Sequence, residues 1–215
     1  MTPTPTTRPR RPKTTKSSSA KKPIAVAITG GIGAGKSAAL AAFARHGAAV
    51  VSSDEIVHHL LGEDAGVRQA LRGHFGDRVF GADGAVSRAA VAQIVFADRQ
   101  ELTWLETLLH PRVAHEYMEW REALARLPDP PALCVTEVPL LYEVGGETRF
   151  DVVVAITAPT DLRAQRAKVP VAERSERLIP DEEKVQRADF SYVNDGSLAE
   201  LDAFVARVVA CLTAQ

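Results

Sequence analysis

Apolar residues along this chain occur in two kinds of stretch. Short unbroken runs at residues 24–28, 48–51, 132–135 and 152–156 match strands buried on both faces of a parallel sheet, and residues 190–193 form a shorter, weaker run. Elsewhere the apolar residues recur at helical spacing. Residues 37–46 place Leu40, Phe43 and Ala44 on one face, and Gly47 follows where a C-terminal cap belongs. The order strand, turn, helix, strand over residues 24–51 predicts a βαβ unit with a right-handed crossover. A terminal helix is expected from about Ser197, with Leu198, Leu201, Val205, Val208 and Leu212 on one stripe.

Residues 54–127 contain no strand-like run. Their spacing predicts helices over 54–61, 67–75 and 88–97, the last with Ser87 as N-cap. A longer helical region follows and is expected to break at His110-Pro111, because proline cannot donate to a helical turn. Flanked by strands, this block predicts a helical subdomain inserted into an α/β domain.

Composition narrows the class. The chain has 215 residues, of which 46% are hydrophobic. That is enough for one domain with a substantial core and a small insertion. No run approaches the roughly 18 apolar residues of a membrane span. Cys134 and Cys211 lie far apart in apolar segments and fit neither a metal-ligand spacing nor a disulfide framework, so a reducing, cytoplasmic compartment is expected.

Seven of the 26 basic residues and none of the 27 acidic ones fall in residues 1–22, so the remainder carries 19 basic against 27 acidic residues, a net charge of −8. An acidic domain repels a phosphate backbone, which argues against nucleic-acid binding. The basic stretch is Thr, Pro, Ser, Lys and Arg, with nothing to bury, and is expected to be a disordered tail. It has neither the apolar segment of a secretory signal nor the amphipathic face of a transit peptide.

Residues 30–37 read Gly-Gly-Ile-Gly-Ala-Gly-Lys-Ser. This is the complete G-x-x-x-x-G-K-[ST] pattern, after a predicted strand and at the start of a predicted helix. Glycines let backbone amides approach an anion closely, and the helix N-terminus adds its own N–H groups. Lys36 is expected to face solvent and reach the β- and γ-phosphates, with the Ser37 hydroxyl available to Mg²⁺. A nucleoside triphosphate is therefore the expected ligand. Asp54 follows the second strand and emerges at the same carboxyl edge of the sheet; it suits a reacting hydroxyl, a metal ion or a helix cap. Glu137 follows the strand at 132–135 and suits either a water-mediated Mg²⁺ contact or a solvated strand end. Arg163, Arg166, Arg174, Arg177, Lys184 and Arg187 charge the segment 159–188, either as a phosphate-neutralising lid or as a solvated face.

The chain also resembles the dephospho-coenzyme A kinases. Thr29 to Ser37 match the family's opening; Asp54, Phe75-Gly76, Asp83-Gly84 with Arg88, Val95-Phe96, Leu109-His110-Pro111, the six residues 138–143, and Ala188-Asp189 with Asn194 follow in the family's order. The similarity spans about residues 24–212. It implies a P-loop kinase fold with three layers, a parallel five-stranded sheet, a helical substrate domain at about 54–127 and a lid at about 160–187. It implies transfer of the ATP γ-phosphate to the ribose 3′-hydroxyl of dephospho-coenzyme A, the last step of coenzyme A synthesis, with ATP and Mg²⁺.

By position, Asp54, Lys36 and Arg166 become the catalytic residues. Gly31, Gly33, Ala34, Gly35, Lys36, Ser37 and Ala38 become the ATP site, and Ser37 and Glu137 the metal ligands. Asp54, His110, Pro139, Leu140 and Glu143 line the substrate side. A monomer or weak homo-oligomer, without a membrane or specific nucleic acid as partner, completes the expectation. Ala38, Ser52 and Glu137 replace a usual threonine, aspartate and aspartate. The lid is several residues short, lacks a second arginine near Val169-Pro170, and has Leu178 where glutamine is frequent. Another small-molecule kinase of this fold, or a nucleotide-binding regulator, remains an alternative. Lys36, Ser37 and Asp54 together favour catalysis over regulation.

Because the tail has no apolar surface to contribute, deleting residues 1–22 should leave Tm and kcat/KM within error. A clear drop in Tm for the truncated protein would show that the segment docks.

Overall fold

The computed structural model describes residues 22–166 and 179–214. The basic tail up to residue 21, and Val169, Pro170, Arg174, Arg177 and Leu178 of the expected lid, lie outside the described residues. The chain divides into two compact units, one formed by Met1–Ser52 with Ala123–Gln215 and the other by Ser53–Glu122.

The first unit is an α/β sandwich. Its strands β1 (Ile24–Thr29), β2 (Ala49–Ser52), β3 (Leu133–Glu137), β4 (Val152–Thr157) and β5 (Phe190–Val193) form one sheet in the order β2-β3-β1-β4-β5. Every pairing is parallel. Strands shielded on both faces explain why the runs at 24–28 and 152–156 carry no polar alternation. On one face, Val26 and Ile28 pack with Leu40 and Phe43 of helix α1 (Lys36–Arg45) and with Leu201, Phe204, Val205 and Val208 of the terminal helix. On the other, Ala27 and Val153 meet Leu141 and Tyr142, with Ile179 and Ala188 beside them.

Among the described residues, the helices α6 (Thr160–Arg166), α7 (Asp181–Arg187) and α8 (Leu198–Thr213) also belong to this unit. Ser197 caps α8 in a full capping box with Glu200, as its position predicts. Ser197 N–H and Oγ–H both donate to the Glu200 carboxylate, which holds its pKa below the usual carboxylate range. Two expected stripe positions fail. Ala44 is exposed, and Ala39 and Ala42 carry the buried face of α1 instead. Leu198 is 71% exposed as the first helical residue. The packed face of α8 begins at Leu201, and Phe204 stacks on Tyr192 of β5.

Two aspartates set strand register by the same device. Asp151 N–H donates to Ala25 O while its carboxylate accepts from Ala25 N–H at 2.8 Å. Asp189 N–H donates to Val153 O while its carboxylate accepts from Val153 N–H at 2.9 Å. Each aspartate precedes its strand and closes the ladder's first rung, satisfying an end amide that has no further strand partner.

The second unit is helical: α2 (Ser53–Glu63), α3 (Ala65–Phe75), α4 (Arg88–Ala97) and most of α5 (Arg99–Ala125). Asp64 caps α3 by accepting from Val67 N–H at 2.7 Å, and Ser87 caps α4 as expected. A bridge between Phe80 and Val86 around Asp83-Gly84 is the extended element that periodicity alone did not predict. His74 lies parallel to Trp104 with ring centroids 3.8 Å apart.

The break expected at His110-Pro111 is absent: α5 runs through Pro111 for 27 residues. Pro111 is exposed and removes a single N–H from the ladder. The Arg112 guanidinium donates to Leu108 O at 2.7 Å, one carbonyl beyond the Thr107 O that Pro111 leaves without its helical donor. With Leu105, Leu109 and Tyr117 buried on either side, one lost bond does not end the helix. No described helix is long and apolar enough to cross a membrane.

The register clamp yields a prediction. Asp189→Ala leaves an end amide of β4 without its acceptor and should cost about 1–2 kcal/mol, lowering Tm by several degrees. Asp189→Asn keeps an acceptor oxygen and should lose clearly less. Equal losses in a thermal melt would remove the hydrogen bond as the cause.

Candidate active site

The chain turns from β1 into α1 through residues 30–35, at the carboxyl ends of the strands. β1 is the point where the sheet's order reverses, with β3 on one side and β4 on the other, and such a crevice is where open α/β sheets bind ligands. Gly35 adopts φ 97° and ψ 23°, a left-handed conformation that glycine takes without strain, and no side chain caps the helix it introduces. The N–H groups of the first turn of α1 therefore have no side-chain cap competing for them. At Gly30, φ is 142°, and a Cβ would stand 1.8 Å from the Ile156 carbonyl oxygen.

Glu137 ties the loop to the sheet. Its backbone pairs with Ile28 of β1 and with Ser52 of β2, so its side chain starts beside the loop's entry. It is the last residue of β3 and 8% exposed, rather than a residue beyond the strand end. Ser37 Oγ–H donates to Glu137 Oε2 at 3.0 Å. Lys36 Nζ donates to Gly31 O at 3.1 Å and stands 4.0 Å from Glu137 Oε1. Lys36 is 7% exposed, not solvent-facing as expected, because its stem lies in α1 against the loop and its ammonium folds back over it. An ammonium, a hydroxyl and a carboxylate thus converge beside helix N–H groups. The set suits a polyphosphate with a divalent ion: two hard oxygen donors, Ser37 Oγ and Glu137 Oε2, sit together where Mg²⁺ would be held. Among the described residues there is no group of three His, Cys, Asp or Glu that would make an all-protein metal site.

Two residues that sequence reasoning did not assign to the site hold the loop from outside. Arg163 Nε–H donates to Ile32 O at 2.9 Å, and its Nη1 meets Asp181 Oδ2 at 2.8 Å. Its guanidinium lies over Gly31, and its backbone carbonyl over Gly33, so a Cβ at either glycine would meet Arg163 at 2.5–2.6 Å. Asn194, just past β5, donates from Nδ2 to Ala34 O at 2.8 Å and fills the space a Cβ on Gly35 would take. Asn194 belonged to the family pattern, which was the signal available; Arg163 was one arginine among several. Arg166 lies a turn further along α6 and donates to Asn194 O at 3.0 Å.

The segment after β3 is built around a buried ion pair. Lys184 is fully buried and meets Glu143 Oε1 at 2.7 Å, and the same oxygen accepts from Ile179 N–H at 3.0 Å. Pro139 O receives longer contacts, at 3.4 Å, from Thr29 Oγ1 and Lys184 Nζ. Arg187 covers the Tyr142 ring at 4.1 Å, and burial pushes the Tyr142 hydroxyl up to about 12. Pro139, Leu140 and Glu143 therefore share the first unit with the phosphate loop. Asp54 and His110 lie in the second. Asp54 is exposed in the first turn of α2, which already starts at Ser53, so it does not hold the cap position. His110 is exposed on α5.

Comparison with known proteins identifies the family. A family model described as "Dephospho-CoA kinase" matches residues 24–200. A dephospho-CoA kinase of Protochlamydia amoebophila is 36% identical over 187 residues, covering 82% of this chain and 90% of that protein. A dephospho-CoA kinase of Frankia casuarinae is 33% identical over 189 residues, covering 85% and 81%. Among solved structures, a Thermus thermophilus protein superposes with TM-score 0.72 at 34% identity, covering 90% of this chain and 100% of that one. The dephospho-CoA kinase of Campylobacter jejuni shares the fold, with TM-score 0.64 at 24% identity, covering 89% and 98%. With its phosphate loop, its parallel five-stranded sheet and these matches over most of its length, the chain belongs to the dephospho-CoA kinase family of ATP-dependent phosphotransferases.

Proposed function

We propose that this protein transfers the γ-phosphate of ATP to the ribose 3′-hydroxyl of dephospho-coenzyme A, in the cytoplasm, as a monomer or weak homo-oligomer. The observation that carries the reading is the convergence of Lys36, Ser37 and Glu137 on the amino end of α1 within a complete phosphate loop. Gly31, Gly33, Ala34, Gly35, Lys36, Ser37 and Ala38 receive the triphosphate through backbone N–H groups, and Lys36 neutralises its terminal charge. When bound at Ser37 and Glu137, Mg²⁺ would supply positive charge to the phosphate oxygens.

Asp54 orients the acceptor hydroxyl and takes its proton as the new O–P bond forms, and ADP leaves with the electrons of the broken bond. Arg166 provides the cation that meets charge on the transferring group. His110, Pro139 and Leu140 shape the acceptor's surroundings. Glu143, committed to Lys184 and Ile179, serves by holding the 139–143 segment in place. Incubating the protein with Mg-ATP and a panel of alcohol acceptors tests the reading. Dephospho-coenzyme A should be phosphorylated well ahead of shikimate, gluconate and nucleosides. Preference for another acceptor would move the chain to a different kinase activity, and no turnover with any would favour a regulator.

Lys36→Ala should cut kcat by at least about 10²–10³, as for a lost transition-state charge, while far-UV circular dichroism stays native. Tm should fall slightly, since Glu137 keeps only part of its pairing. An unchanged kcat would contradict the phosphate-loop assignment. Asp54→Asn separates helix-end electrostatics from catalysis, because the side chain is exposed and keeps its shape. Stability should not move, whereas kcat should fall by about 10²–10⁴, the usual worth of a general base. A normal rate would remove Asp54 from the reaction.

A further inference from the structure

We propose that Arg163 is a positioning residue for nucleotide binding, acting as a two-ended clasp that sets the shape of the phosphate loop through Ile32 and is itself fixed by Asp181. The inference rests on the reading of residues 30–37 as the nucleotide site. Arg163 is not one of the residues that the family pattern places in the lid; that position is Arg166. Its guanidinium is a planar fork, and its two arms are used differently. Nε–H donates to the Ile32 carbonyl at 2.9 Å, and Nη1 binds Asp181 Oδ2 at 2.8 Å.

Both ends of this pair are largely shielded, with side-chain exposures of 14% for Arg163 and 18% for Asp181, so solvent screening is reduced. The contact surface is unusually intimate. The guanidinium covers Gly31, and the Arg163 backbone covers Gly33, so the stretch from Gly31 to Gly33 is held by one residue of α6. The Ile32 carbonyl is committed to Arg163, and a peptide so fixed is held from turning that oxygen toward bound phosphate. An arginine suits the task better than lysine, because the fork's geometry fixes both partners at once.

This assignment differs from a direct electrostatic role. An arginine that acted on phosphate would be held back by Asp181, and releasing it would strengthen binding. A clasp needs Asp181, and removing the carboxylate should weaken binding even though a negative charge near an anion site has gone. The opposite signs make Asp181→Asn decisive.

The experiment measures ADP binding by calorimetry with Mg²⁺, without an acceptor, for the full chain and for Arg163→Gln, Arg163→Lys, Asp181→Asn and the Arg163→Gln/Asp181→Asn double variant. Thermal melts on each sample confirm folding. The clasp predicts that Asp181→Asn and Arg163→Gln each raise the ADP Kd by about 3- to 30-fold, and that the double variant is within about twofold of Arg163→Gln, as expected for one shared interaction. Arg163→Lys should fail to restore affinity. In turnover assays the ATP KM should rise by more than kcat falls. Tighter ADP binding by Asp181→Asn, full rescue by lysine, additive single effects, or a lowered Tm with unchanged Kd and KM would each overturn the clasp while leaving the kinase reading intact. No ADP binding by the unmodified protein would overturn both.

Discussion

Each glycine of residues 30–35 sits where a Cβ would press on a neighbouring part of the first unit. The Ile156 carbonyl blocks the space beside Gly30, Arg163 the space beside Gly31 and Gly33, and the Asn194 amide that beside Gly35. Three separate stretches of the first unit, β4, α6 and the turn after β5, thus press on one loop. The glycines are required here by close approach as much as by left-handed backbone angles. In return the neighbours hold two of the loop's carbonyls: Ile32 O is bonded by Arg163 and Ala34 O by Asn194. A carbonyl committed to such a donor is held from turning toward an anion, which favours the N–H polarity a phosphate needs.

The second constraint is charge in a confined place. Glu137 is almost buried, and a carboxylate there is costly unless it is paired and hydrogen-bonded. Ser37 donates to it and Lys36 stands near, while the parallel register of β3 with β1 and β2 fixes where it starts. The same economy governs the segment after β3, where Glu143 and Lys184 are buried together. Breaking the Glu143–Lys184 pair from one side would strand the other charge. Two shielded carboxylates, Glu137 beside the loop and Glu143 against Lys184, therefore lie within one short segment.

Most of the sheet was legible because a strand buried on both faces reads as an unbroken apolar run, and β5 was found at its observed limits. The phosphate loop was legible because its chemistry demands particular residues at fixed spacing. Other features depend on neighbours that no local pattern reports. Pro111 did not break α5, since residues buried on either side hold the helix through one lost bond. Ala44 and Leu198 had the right spacing but the wrong surroundings. The buried setting of Lys36 follows from the folding back of its ammonium onto Gly31 O, with Glu137 Oε1 4.0 Å away. Arg163 was one basic residue in a charged run until the fold set it against Ile32 and Asp181. Asp54 was placed past the second strand correctly, yet α2 begins one residue earlier, so the capping explanation for it falls away.

The central claim is that phosphate moves from ATP, seated on residues 31–38, to one hydroxyl of dephospho-coenzyme A. Phosphorus-31 NMR of the product, formed from Mg-ATP and dephospho-coenzyme A, tests this directly. The account predicts one new phosphomonoester resonance coupled to the ribose H3′ proton, growing in step with ADP. ADP release with inorganic phosphate and no new ester, or a phosphate coupled to another ribose proton, would contradict it.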